Sequence, residues 1–228
     1  MSSIWELDWL SLSIPVTRKP RVRQRGNNFT LSDGLSMAEI VVFASGTGSN
    51  FEAIVHGLSG TPHMVACLIT DNPNAPAVDR AKRLGVPHRI IPYGKPRIEA
   101  ETRIRAALEP YRPTLIVLAG FMRLLSPGFV DSFPDRILNI HPSLLPRHPG
   151  LNAIRGSYES SDEDAGITIH IVDHGVDTGP ILFQKSFKKS ECHDFEEFED
   201  RIHTLEHTWF PVVINDYLAK IEEPVHRR

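Results

Sequence analysis

Every position of residues 38–44 (AEIVVFA) except Glu39 is apolar, and the run stops at a loop of small residues, 45–49. Consecutive Ile, Val and Phe bounded by Ser and Gly read as a strand buried on both faces. The same signature returns at 63–70, 86–91, 114–119 (TLIVLA) and 136–140 (RILNI). Between these runs the apolar residues take helical spacing. Helices are predicted at 50–58, at 77–84 with Gly85 as the stop, and at 97–109 before Pro110. Buried strands alternating with helices predict an α/β fold with a mainly parallel central sheet, flanked by helices and joined by right-handed crossovers. Past residue 141 the pattern changes. Residues 166–172 and 180–187 read as strands joined by a Gly-bounded loop, 173–179, and 195–221 as one long amphipathic helix.

In such a sheet, ligands sit beyond the carboxyl ends of the strands. That rule selects 45–50, 120–125, 139–146 and 173–179, all of them polar or rich in Gly and Pro. Ser45-Gly46-Thr47-Gly48-Ser49-Asn50 opens the first helix. Its glycines allow a tight turn, and its N–H groups with the helix N-terminus favour an anion such as phosphate. A dinucleotide is the alternative: Asp71 ends the second strand where a ribose-binding acid would stand, but Phe51 replaces the third glycine of the fingerprint. Asn139 and His141, two apart on a strand, face the same side. An amide donor beside an imidazole can stabilise an oxyanion while protons move. Asp177, in the Gly-bounded loop Gly175-Val176-Asp177-Thr178-Gly179, can approach such a histidine and raise its pKa.

Composition narrows the classes. The chain has 228 residues, 41% of them hydrophobic and 23% charged, with a net charge of -3. This is the make-up of one large globular domain with no whole-protein attraction to nucleic acid and no membrane-length apolar run. Two cysteines, Cys67 and Cys192, point to a reducing compartment, and Cys67 reads as a buried small hydrophobe. His203-Thr204-Leu205-Glu206-His207 matches an inverted zinc-protease pattern, yet few residues follow to supply a third ligand, so no metal is expected. Residues 1–36 differ from the rest, with five basic residues against three acids. They read as a flexible arm outside the catalytic fold, linker-like over 17–36, with the domain at 37–228 beginning at Met37. Their basic stretch could touch RNA or an anionic lipid, and the apolar positions at 4–14 could dock.

The ordered set SGTGSN, LAGFMRLLSP, LNIHPSLLP, HGVDTGPI and a Glu-His pair in the last helix resembles the phosphoribosylglycinamide formyltransferase family over about residues 38–218. The resemblance implies a single Rossmann-like formyltransferase domain in the cytoplasm, as monomer or homodimer, acting on small molecules rather than nucleic acid or membrane. It implies 10-formyltetrahydrofolate as co-substrate and no metal. Asn139, His141 and Asp177 resemble the catalytic trio. Gly48, Ser49 and Asn50 resemble the loop for the phosphate of glycinamide ribonucleotide, with Glu206 and His203 at that substrate's other end. Met122, Arg123, Leu124 and Leu125, with Asp173, Gly175, Val176 and Asp177, resemble the folate pocket, joined by Asn139 and Arg97. Methionyl-tRNA formyltransferase and formyltetrahydrofolate hydrolase fit less well because each carries a further domain. The alternatives are another folate-dependent formyltransferase acting on a sugar-linked amine, or a non-catalytic folate- or nucleotide-binding homologue. Two departures stand out: His148 replaces the family's usual aromatic or apolar residue, and Asn152 a common histidine. The run 159–164 is polar and insertion-like.

Overall fold

Along β3 (Glu39–Phe43), Ile40 and Val42 enter one core cluster while Val41 and Phe43 enter another. The period-2 alternation of a strand thus feeds two layers at once, and both must be covered by helices. β4 (Met64–Thr70) repeats the split with Val65 and Leu68 on one side and Cys67 and Ile69 on the other; β6 (Leu115–Leu118) does so with Leu115 and Val117 against Ile116 and Leu118. Cys67 is buried, as expected. The computed structural model describes residues 22–25, 28–31 and 37–222.

Between these strands lie α1 (Ser49–Gly57), α2 (Pro76–Arg83), β5 (His88–Ile90) and α3 (Arg97–Leu108). After β6 come the short α4 (Pro127–Val130), β7 (Ile137–His141), α5 (Ala153–Glu159), β8 (Asp164–Ile171), β9 (Ile181–Lys188) and α6 (Phe195–Glu222). The sheet order is β5-β4-β3-β6-β7-β8-β9; the first five strands are parallel, β8 runs against them, and β9 pairs antiparallel with β8. Every strand and long helix read from the sequence is present within a few residues. The helices α4 and α5 were not expected: at four and seven residues they are too short to establish a periodicity.

One face of the sheet is closed by α1, α2 and α6, the last through Phe198, Ile202, Phe210, Ile214 and Leu218; the other is closed by Ile104 and Leu108 of α3 and Phe129 of α4. α6 runs close against α1. A Cβ on Gly57 would lie 2.4 Å from Pro211 Cβ, so only glycine permits the approach.

By contacts the chain divides into units of residues 1–36 and 37–228. The first contains β1 (Val22–Arg25) and β2 (Asn28–Leu31), paired antiparallel with Arg25 opposite Asn28. This hairpin differs from the linker-like expectation for 17–36. Its sequence signal was the Gly26-Asn27 pair between two alternating runs. The apolar segment at 4–14 lies outside the described residues.

Candidate active site

The chain leaves β3 to build β4 and β5 on one side, then returns to place β6 on the other, so the order reverses at β3. The crevice at such a reversal is where α/β sheets bind ligands. Two loops meet there. Ser45 N–H donates to the Gly120 carbonyl at 3.0 Å, and Met122 N–H donates to Ser45 Oγ at 3.0 Å. Ser45 Oγ donates in turn to Asp71 Oδ1 at 2.6 Å, while Arg123 Nε reaches Asp71 Oδ2 at 2.6 Å. Both oxygens of the buried Asp71 are therefore engaged within the protein. The dinucleotide alternative needed that carboxylate free for a ribose.

Gly48 precedes α1 with φ 75°, and a Cβ there would stand 2.6 Å from Ala77 Cβ. Its glycine is needed for close packing of α1 on α2, as well as for the turn. Ser49 and Asn50 follow in the first turn of α1. Asn50 Nδ2 donates to Glu206 Oε2 at 2.9 Å, tying this loop to α6. Glu206 is 4% exposed, and its Oε2 also lies 3.0 Å from His203 Nδ1. That hydrogen bond, ahead of the opposing effect of burial, raises the His203 pKa. Burial lowers the His207 pKa. Asn50 Oδ1 and His207 Nε2 are buried without a protein partner, which leaves polar atoms available to a ligand here. Among the described residues, no group of three or more His, Cys, Asp and Glu side chains is arranged to hold a metal ion.

The second cluster stands at the carboxyl end of β7. His141 is 4% exposed. Its Nδ1 lies 3.3 Å from Asp177 Oδ2, and its Nε2 lies 2.7 Å from the His148 carbonyl. A carbonyl only accepts, so Nε2 carries a proton. Asn139 Nδ2 approaches Asp177 Oδ1 at 3.3 Å and His170 Nε2 at 3.2 Å. His170 Nδ1 faces the Ile171 carbonyl at 2.9 Å, and its Nε2 lies 3.5 Å from Asp177 Oδ1. Asp177 also accepts from Gly150 N–H at 2.8 Å. Burial pushes its carboxyl up, but the His170 contact, the Gly150 N–H and the two imidazoles outweigh it and hold the pKa below the usual carboxylate value.

The expected trio Asn139, His141 and Asp177 thus meets in one cluster. His170 belongs to it too and was not picked out. It lies directly across from Asn139 in the antiparallel β7–β8 register.

The loop after β6 presents Met122, 62% exposed, and Leu124, 60% exposed, with Leu125 half-buried beneath them. Arg97 Nη1 reaches the Leu124 carbonyl at 3.5 Å, so α3 and this loop lie together. Arg123 turns its guanidinium away to Asp71. In the loop after β8, Val176 is exposed beside Asp177, and Asp173 Oδ1 accepts from Gly175 N–H and Thr178 Oγ1, closing its own loop.

The glycine-rich turn thus stands at the reversal point of a mainly parallel sheet, and the Asn, His and Asp cluster at β7 and the loop after β8. Residues 38–214 match the family described as formyl transferase, and the chain belongs to that family. It is 41% identical over 187 residues to phosphoribosylglycinamide formyltransferase of Bacillus subtilis (strain 168), covering 80% of this chain and 96% of the relative. The enzyme of that name from Escherichia coli (strain K12) is 37% identical over 183 residues, covering 77% and 85%. The crystal structure of phosphoribosylglycinamide formyltransferase from Bacillus halodurans superposes with a TM-score of 0.77 at 36% identity, over 83% of this chain and 100% of that one. Glycinamide ribonucleotide transformylase 1 from Symbiobacterium toebii gives 0.76 at 38%, over 81% and 89%. Within the family the chain groups with the phosphoribosylglycinamide formyltransferases.

Proposed function

We propose that the chain transfers the formyl group of 10-formyltetrahydrofolate to the amine of glycinamide ribonucleotide, a step of de novo purine biosynthesis. The observation that carries this reading is that Asn139 Nδ2 and His141 Nδ1 each lie 3.3 Å from the Asp177 carboxylate. In this reading Gly48, Ser49 and Asn50 take the substrate phosphate, and Glu206 and His203 take its far end. Met122, Leu124, Leu125 and Val176 offer apolar surface to the folate, with Arg97, Arg123, Asp173 and Gly175 shaping the surrounding loops.

The chemistry follows from the groups present. The amine lone pair forms the new N–C bond at the formyl carbon, and the carbonyl electrons move to oxygen. Asn139 Nδ2–H and the His141 Nδ1–H, exchanged from its 3.3 Å contact with Asp177, donate to that oxyanion. Collapse re-forms the carbonyl and breaks the bond to folate N10. The proton lost by the amine passes to Asp177, directly or through a water, and on to N10. Contacts of 3.2 to 3.5 Å among Asn139, His170 and Asp177 are loose enough to be exchanged for substrate. The two free cysteines suit the reducing cytoplasm, where this reading places the reaction.

Mixing the purified protein with 10-formyltetrahydrofolate and glycinamide ribonucleotide, and following folate absorbance, tests the reading. Formyl loss that depends on both compounds is expected. Loss without the ribonucleotide would indicate a hydrolase, and none at all a binding homologue.

A further inference from the structure

Residues 148–150 hold both halves of the His141–Asp177 pair: the His148 carbonyl accepts from His141 Nε2 at 2.7 Å, and Gly150 N–H donates to Asp177 Oδ2 at 2.8 Å. His148 carries φ 53°, a left-handed backbone that residues with side chains rarely adopt, so its carbonyl direction has to be imposed by neighbours. One constraint comes from inside, where Ser143 Oγ donates to the Arg147 carbonyl at 2.6 Å. The other comes from the polar run at 159–164. Asp162 Oδ2 lies 2.9 Å from His148 Nε2, and Asp162 Oδ1 lies 3.0 Å from Arg147 Nη1. Ser160 Oγ donates to the same carboxylate at 3.2 Å, and Lys189 Nζ binds the Ser157 and Ser160 carbonyls at 2.8 and 2.7 Å.

We propose that Asp162 and His148 are positioning residues for formyl transfer: Asp162 grips consecutive side chains, Arg147 and His148, and thereby aims the His148 carbonyl and the Gly150 N–H at His141 and Asp177. The inference rests on the proposed roles of His141 and Asp177. An aromatic side chain at 148 could fill space but could not be held by a carboxylate. In this chain the departure at His148 and the polar run at 159–164 therefore form one device, its two halves meeting at the His148–Asp162 contact. Neither residue touches the reacting atoms, so their effect falls on turnover rather than on substrate affinity.

Asp162→Asn keeps the shape and removes the charge at a partly exposed position, so the fold is retained; a melting curve checks this. The expected result is a fall in kcat of about tenfold, since small misplacements of acting groups cost on that scale or more. KM for both substrates should stay within about twofold, the split expected when only transition-state contacts are lost. His148→Ala should fall similarly, and the double variant no further than the worse single one. In histidine-selective NMR, the His141 Nε2–H signal should exchange faster with water in Asp162→Asn than in the wild type. Unchanged kcat, additive losses, matching rises in KM, or an unaltered His141 signal would each overturn the proposal. Absence of transfer in the wild type would overturn the functional reading instead, and the NMR measurement would still decide whether the clamp exists.

Discussion

His141 Nδ1 lies 3.3 Å from Asp177 Oδ2, although the two residues come from the end of β7 and the loop between β8 and β9. β8 runs antiparallel to β7 and ends level with Leu138, toward the amino end of β7, so the contact exists because the loop that follows folds back to bring Asp177 to the Asn139 and His141 side chains. Two groups that act as a unit lose activity non-additively when removed. Asp177→Asn and His141→Ala should each slow transfer, and the double variant should be hardly slower than His141→Ala alone. Rates measured for all four proteins make the check; a product of two independent losses would show that the residues do not work together.

Asp177 also links the site to stability. Its pKa is lowered in the fold, so its ionised form stabilises the native state above the ordinary carboxylate range, near pH 4, and that contribution disappears as pH falls through the lowered value. The melting temperature of Asp177→Asn should therefore trail that of the wild type at neutral pH, and the gap should close in acid. A gap independent of pH would mean that the carboxylate charge contributes nothing.

His203 works in the opposite direction. Its pKa is raised above 6.5 by Glu206, so its stabilising contact is complete below that pH and is lost as pH climbs past the raised value. His203→Gln should cost most in melting temperature in mild acid and least in alkali. The reverse order would contradict the His203–Glu206 pairing.

For the loop before α1, binding and packing must be separated. Gly48→Val forces a Cβ to 2.6 Å from Ala77 Cβ, so it should destabilise the fold by about 2 kcal/mol or more. Ser49→Ala is the cleaner probe of binding. It should raise KM for the phosphorylated amine several-fold and leave KM for the folate unchanged. Equal changes in both would remove Ser49 from the phosphate site.

The sequence made the parallel sheet legible because doubly buried strands such as Ile40–Phe43 and Leu115–Leu118 appear as unbroken apolar runs. The trio was legible because Asn139 and His141 share a strand end and Asp177 sits between glycines. His170 was not. Its role comes from lateral pairing with Asn139 across two antiparallel strands, and a single chain does not display which strands are neighbours. The part played by Asp71 was hidden for the same reason: Ser45 and Arg123 come from two other strand ends. At residues 22–31, charge and proline content outweighed a Gly-Asn hairpin signal that could have been used.

The domain boundary is a proposal of its own. A chain starting at Met37 should fold, with melting temperature and transfer rate close to those of the full chain. A large drop in either would move the boundary into residues 1–36.

The central claim is that this site carries formyl transfer through His141. Its most direct test is the rate at which the wild type and His141→Ala form formylglycinamide ribonucleotide from 10-formyltetrahydrofolate, with folate affinity measured alongside. Transfer by the wild type and a loss of at least ~10²-fold in the variant, with folate still bound, is the predicted result. Near-normal transfer by His141→Ala, or none by the wild type, would contradict it.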